Sequence, residues 1–137
     1  MQASLEHLNW AAIGVSVVVG QIVLTVWFTA LFGAPWARAY GAADQKQHTK
    51  EVPGYTYAIG VGCTLLLTLG LAVLEAALGV STAAEGLGTG LFVAVCFTTA
   101  TALPGYAFLR RWSAFFLAIG SQTVLILLVS LILASWQ

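Results

Sequence analysis

The sequence predicts an all-α integral membrane protein, a bundle of four transmembrane helices paired as two antiparallel hairpins. Three observations carry that expectation. The 137-residue chain is 60% hydrophobic and only 7% charged, against about 25% charged in a soluble domain. Four apolar runs follow one another, each long enough for the roughly 30 Å hydrocarbon core of a bilayer. Every Lys and Arg falls in the segments between those runs. Lipid leaves no partner for an open backbone, so such runs cross as helices, and four strands are too few to close a barrel.

The spans form a single domain over 1–137. The first covers 8–32 and is broken by Gly33, Ala34 and Pro35. Residues before it include Glu6 and His7 but no Lys or Arg, so a cleavable signal peptide is not expected. The second span covers 55–78, between Pro53-Gly54 and Gly79. The third covers 87–109 and stops at Arg110-Arg111; the fourth covers 112–136. The connection from Gly79 to Gly86 and the arginine corner are short enough to force hairpins. In the longer first loop, Pro35 to Gly41 predicts a short interfacial helix, and Asp44 to Glu51 a solvated polar stretch.

Orientation follows from the basic residues. Arg38, Lys46 and Lys50 lie in the first loop and Arg110 and Arg111 in the third. The positive-inside rule places both loops in the cytoplasm and both termini outside. Trp10 and Trp136 then belong to the outer aromatic belt, Trp36 and Trp112 to the inner one.

Chemistry-bearing residues are sparse. Glu75 lies about 30 Å along the second helix and reads as an interfacial carboxylate facing headgroups, or as part of an acidic outer mouth with Glu85. The rise per residue puts Gln21 and Gln122 at similar mid-membrane depth. A bond between their amides would pin the first helix to the fourth; a polar cavity or a second subunit are the other destinations. In the third span Pro104 predicts a kink, with Thr98, Thr99 and Thr101 as polar contacts for loosened carbonyls or neighbouring helices. Ser16 with Gly20 and Gly86 with Gly90 have the four-residue spacing of close helix packing. Cys63 and Cys96 differ in depth by about 8 Å, too far for a disulfide, and read as buried small hydrophobes. His7 and His48 fall on opposite sides, and no catalytic, metal or phosphate-loop spacing occurs. No enzyme activity, cofactor or nucleic-acid partner is expected.

Trp27-Phe28, Leu31-Phe32-Gly33, Trp36-Ala37-Arg38 and Gly41 form one aromatic and basic block. Gly105-Tyr106, Phe108 and Arg110-Arg111-Trp112 form a second. With Asn9-Trp10 at the start and Trp136 at the end, the whole chain resembles the small four-helix bacterial membrane proteins catalogued as domain of unknown function 1761. Family members continue the Trp with Tyr-Ser-Pro, where this chain has Phe28-Thr29-Ala30. The resemblance implies the four-helix topology and no activity. Trp36, Arg38, Tyr106, Arg110, Arg111 and Trp112 are expected to anchor the cytoplasmic side, or to dock anionic lipid headgroups or a partner. Two function classes follow: an accessory or structural subunit packing against itself or a larger membrane complex, and, as the alternative, a small oligomeric channel or transporter lined by Gln21, Gln122 and the third-helix threonines.

Overall fold

The computed structural model describes residues 8–136. Six helices are numbered here in chain order: α1 Trp10–Leu31, α2 Gly33–Ala39, α3 Gln45–Glu51, α4 Gly54–Leu78, α5 Ala83–Phe108 and α6 Trp112–Ser135. Among the described residues there is no strand. Helices α1, α4, α5 and α6 are long and apolar enough to cross a membrane, so the all-α membrane bundle stands.

Buried positions show how the spans pack. On α4 they are Thr64, Thr68, Leu71, Ala72 and Glu75, a single stripe at helical spacing. On α5 they are Gly86, Gly90 and Ala94, four residues apart. Helix α6 buries the most, including Leu125, Ile126, Val129 and Leu133. It packs on α5, α1 and α4, whereas α4 and α5 scarcely meet. The packed hairpin expected across Gly79 to Gly86 is therefore corrected: α4 and α5 are joined by a short turn but lean on α6 rather than on each other. Most other large apolar side chains, such as Leu66, Phe92 and Phe116, face outward, as a lipid-solvated surface requires.

Small residues set the closest approaches. A Cβ on Gly86 would meet Ala134 Cβ and, at 2.8 Å, the Ser130 carbonyl; one on Gly20 would meet Leu125 Cδ1 at 2.7 Å. The Trp27 indole lies against Gly120, 2.8 Å from where a Cβ would stand, and its Nε1 donates to the Leu117 carbonyl at 3.2 Å. That places the first aromatic block directly on the fourth span.

The helix ends have local causes. Gly79 at φ 68° ends α4, and the Val80 amide donates back to the Glu75 carbonyl at 3.0 Å. Thr82 and Glu85 form a reciprocal capping box that starts α5. Asp44 caps α3, with its Oδ1 accepting from the Gln47 amide at 2.7 Å. That cap turns the stretch expected to be merely solvated into a helix. Arg110 occupies the left-handed region at φ 54° in the corner between α5 and α6, a position a glycine would hold with less strain.

Both odd-numbered spans contain a π-helical stretch, Trp27–Leu31 in α1 and Val93–Thr99 in α5. In α1 the Phe32 amide reaches back five residues to the Trp27 carbonyl at 2.8 Å. The Gln45 side chain folds over Gly33, where any Cβ would collide with it, and donates to the Thr29 carbonyl at 3.3 Å. In α5 Pro104 lies within the helix, and the irregularity expected around it sits upstream as the π stretch.

Candidate functional site

Asn9 and Trp136 meet at one end of the bundle: the Asn9 amide nitrogen donates to the Trp136 carbonyl at 2.8 Å, and its oxygen caps α1 by accepting from the Ala12 amide at 3.0 Å. The start of α1 and the end of α6 therefore lie on one side, here called the terminal side. The basic residues of the first and third loops lie on the other.

Glu75 sits one turn below that terminal end of α4. It is 1% exposed, and neither Oε1 nor Oε2 has a hydrogen-bond partner among the described residues. Depth along the helix was legible; direction was not. The expectation of a headgroup-facing carboxylate is corrected, because Glu75 continues the inward stripe of Thr64, Thr68, Leu71 and Ala72. The acidic mouth shared with Glu85 is corrected as well: the Glu85 carboxylate accepts from the Ser81 and Thr82 amides at 2.9 and 3.0 Å, and caps α5.

Two further buried polar atoms lack partners, the Ser16 and Ser130 hydroxyls. Ser130 faces Glu75 without completing a hydrogen bond. At about 1.5 Å per residue, Glu75, Ser130 and Ser16 lie about 5, 8 and 9 Å from the terminal-side ends of their helices. Every buried side-chain polar atom without a partner among the described residues thus falls in one layer, shared by α1, α4 and α6. Against this layer lies a cavity of about 240 Å³ that Glu75 lines. Ala12, Ala72, Ala76 and Leu133 form its walls, and Leu8, Asn9 and Trp136 its rim.

Deeper in the bundle the polar groups are satisfied. The Gln21 amide nitrogen donates to Thr64 Oγ1 at 2.7 Å, and that hydroxyl donates to the Gly60 carbonyl at 3.0 Å. The expected bond between Gln21 and Gln122 is therefore corrected: α1 is pinned to α4, and Gln122 is half-buried on α6 without that contact. The depths agreed, but the face of α1 carrying Gln21 turns toward α4. Thr64 and Thr68 were missed from the sequence, although their spacing with Glu75 was the available signal.

The third-helix threonines make no bond to another helix. Thr99 Oγ1 donates to the Ala94 carbonyl at 2.8 Å and Thr101 Oγ1 to that of Phe97 at 2.5 Å, both within α5. These bonds go to carbonyls of the π stretch and not to Ala100, the carbonyl four residues before Pro104. Thr98 is half-buried on the same helix, and its carbonyl accepts from Thr101 at 3.2 Å. Cys63 and Cys96 are free as expected, but exposed on the outer surface rather than buried.

At the basic side the two aromatic blocks converge. Trp36 packs on Phe28, Tyr40 and His48, with ring centroids 5.3, 6.4 and 4.3 Å away. Partial burial raises the Tyr40 hydroxyl above its ordinary pKa, the neighbouring Tyr106 adds to this, and Arg111 opposes it. Tyr106 and Trp112 both pack on Phe115. Arg38, Arg110 and Arg111 are exposed. Among the described residues no group of His, Cys, Asp and Glu could hold a metal ion, and Glu6 and His7 lie outside those residues.

Fold and site together define a small polytopic α-helical membrane protein in which, among the described residues, Glu75 is the one deeply buried acidic side chain. The chain belongs to the family described as protein of unknown function DUF1761, whose model matches residues 11–134. No curated protein and no solved structure matches it.

Proposed function

We propose that this chain is a non-enzymatic small-solute carrier or channel of the bacterial inner membrane, with its working site in the cavity over Glu75. One observation carries the reading: a carboxylate removed from water between three membrane helices, with no partner for either oxygen. Leaving such a group unsatisfied costs about 1–3 kcal/mol or more, and ionisable residues in membrane interiors mark pathways and ligand sites. A purely structural subunit gains nothing from that cost. Both termini lie outside, as the distribution of Lys and Arg favours, so the cavity opens outward. Four helices enclose little volume, and the carrier works as an oligomer. Anionic headgroups dock on the exposed Arg38, Arg110 and Arg111 beside the aromatic cluster.

The accessory-subunit reading has one observation in its favour. A cleft of about 570 Å³ separates α4 from α5, lined by Leu74, Leu78, Gly88, Phe92 and Phe97 among others, and a helix of a larger complex would fill it.

Proteoliposomes separate the two. Uptake of glycerol, urea, methylammonium and potassium is measured against empty vesicles. The carrier reading expects uptake of at least one of these, reduced about tenfold or more by Glu75→Gln. Stoichiometric co-purification with a larger membrane complex, together with no uptake of any solute, overturns it.

A further inference from the structure

The chemistry of the cavity narrows what it can hold. At about 240 Å³, it has room for several waters or one small organic molecule. A bare metal cation is a poor occupant. Hard cations need about six oxygen ligands, and the lining supplies one carboxylate. The only side-chain amide there, Asn9, is committed at both ends, to Ala12 and Trp136.

An anion is excluded by charge, because no Lys or Arg lies on the terminal side and Glu75 is negative when ionised. A wholly apolar occupant would leave both Glu75 oxygens without a partner. What remains is a molecule with a positive end and an apolar body. The positive end meets the carboxylate once the Glu75 side chain, whose oxygens are closed off in this structure, turns into the cavity, and the body rests on Ala72, Ala76 and Leu133, with the aromatic Trp136 at the rim.

We propose that the cavity over Glu75 is a binding site for a small alkylammonium ion, which completes the buried carboxylate beside the Asn9–Trp136 contact. This rests on Glu75 being the working site and adds the class of solute. The Asn9 bond joins the start of α1 to the end of α6 at the rim. Among the described residues Glu75 is the one titratable group lining the cavity, and it alone supplies the counter-charge.

Binding is measured on the full-length protein in detergent by titration calorimetry, with no flux involved. The probes are n-propylammonium chloride, 1-propanol and potassium chloride, with empty micelles as the blank. The wild-type protein is expected to bind propylammonium saturably, about tenfold or more tighter than 1-propanol. Potassium is expected neither to bind nor to compete. Glu75→Gln should weaken propylammonium by about tenfold or more and Trp136→Leu by a smaller factor, while Glu85→Gln leaves it unchanged. Equal affinity for the alcohol and the ammonium, equal competition by potassium, no saturable binding in the wild type, or full affinity in a folded Glu75→Gln protein would each overturn the proposal. The comparison of ligands on the wild-type chain needs no variant to fold. Ammonium binding without flux would sink the carrier reading and leave this site standing. Uptake of neutral solutes without ammonium binding would do the reverse.

Discussion

Glu75 gives up water without gaining a hydrogen-bond partner, so at the scale of one residue it should be a source of instability. Replacing a lone buried polar group by an apolar one of similar length removes a cost of about 1–3 kcal/mol. Glu75→Met is therefore expected to raise the thermal midpoint of the detergent-solubilised protein while abolishing any response to the solute. Scanning fluorimetry checks this, and a lowered midpoint would mean that Ser130 or another group already holds the carboxylate. Such a trade of stability for function marks a residue kept for what it does. Little of this was legible in advance. Rise per residue fixes depth, and depth for Glu75 and Gln21 came out correctly. Facing depends on which side of the helix is buried, and in an all-apolar span hydrophobicity barely distinguishes the two sides. The threonines were the usable mark, since Thr64, Thr68 and Glu75 share one face and polar side chains seldom face lipid.

At the scale of elements, glycine divides the surfaces that hydrophobicity cannot. Gly86 touches α6 so closely that a Cβ would strike Ala134, whereas Gly88 on the same helix has nothing within 4 Å. Gly86→Ala is expected to destabilise the bundle by about 1–3 kcal/mol, the usual cost of overpacking against backbone. Gly88→Ala should be neutral or gain up to about 1 kcal/mol from helix propensity. Unfolding of the two variants in detergent mixtures measures the difference; equal effects would mean that α5 and α6 do not pack through Gly86. The spacing of Gly86 and Gly90 was visible in the sequence, and so was the tight hairpin they serve. The π stretches were not; Trp27, which opens the first, seats on α6 at Leu117 and Gly120, a tertiary contact that its sequence neighbours do not announce. The α3 helix was signalled by Asp44, whose capping role competes with its reading as a loop residue.

For the whole molecule the open question is direction, because the same bundle fits a bilayer either way up. The Asn9–Trp136 bond holds the start of α1 and the end of α6 to one side, and every Lys and Arg lies in the two loops opposite. That asymmetry orients short-looped proteins with the basic side in the cytoplasm, and the orientation proposed on that ground has the Glu75 cavity facing outward. Cys63 and Cys96 are both free and exposed, so a background with both replaced by Ala is needed first. Single cysteines are then placed at Ser81, in the terminal-side turn, and at Gln47, on α3. A membrane-impermeant maleimide applied to intact cells is expected to label Ser81→Cys, and to reach Gln47→Cys only after permeabilisation. The opposite pattern would place the cavity against the cytoplasm and make any solute it holds an intracellular one. Labelling of both in intact cells would mean two orientations coexist. With five basic residues on one side and none on the other, a mixture would need a force stronger than the one that normally sets topology.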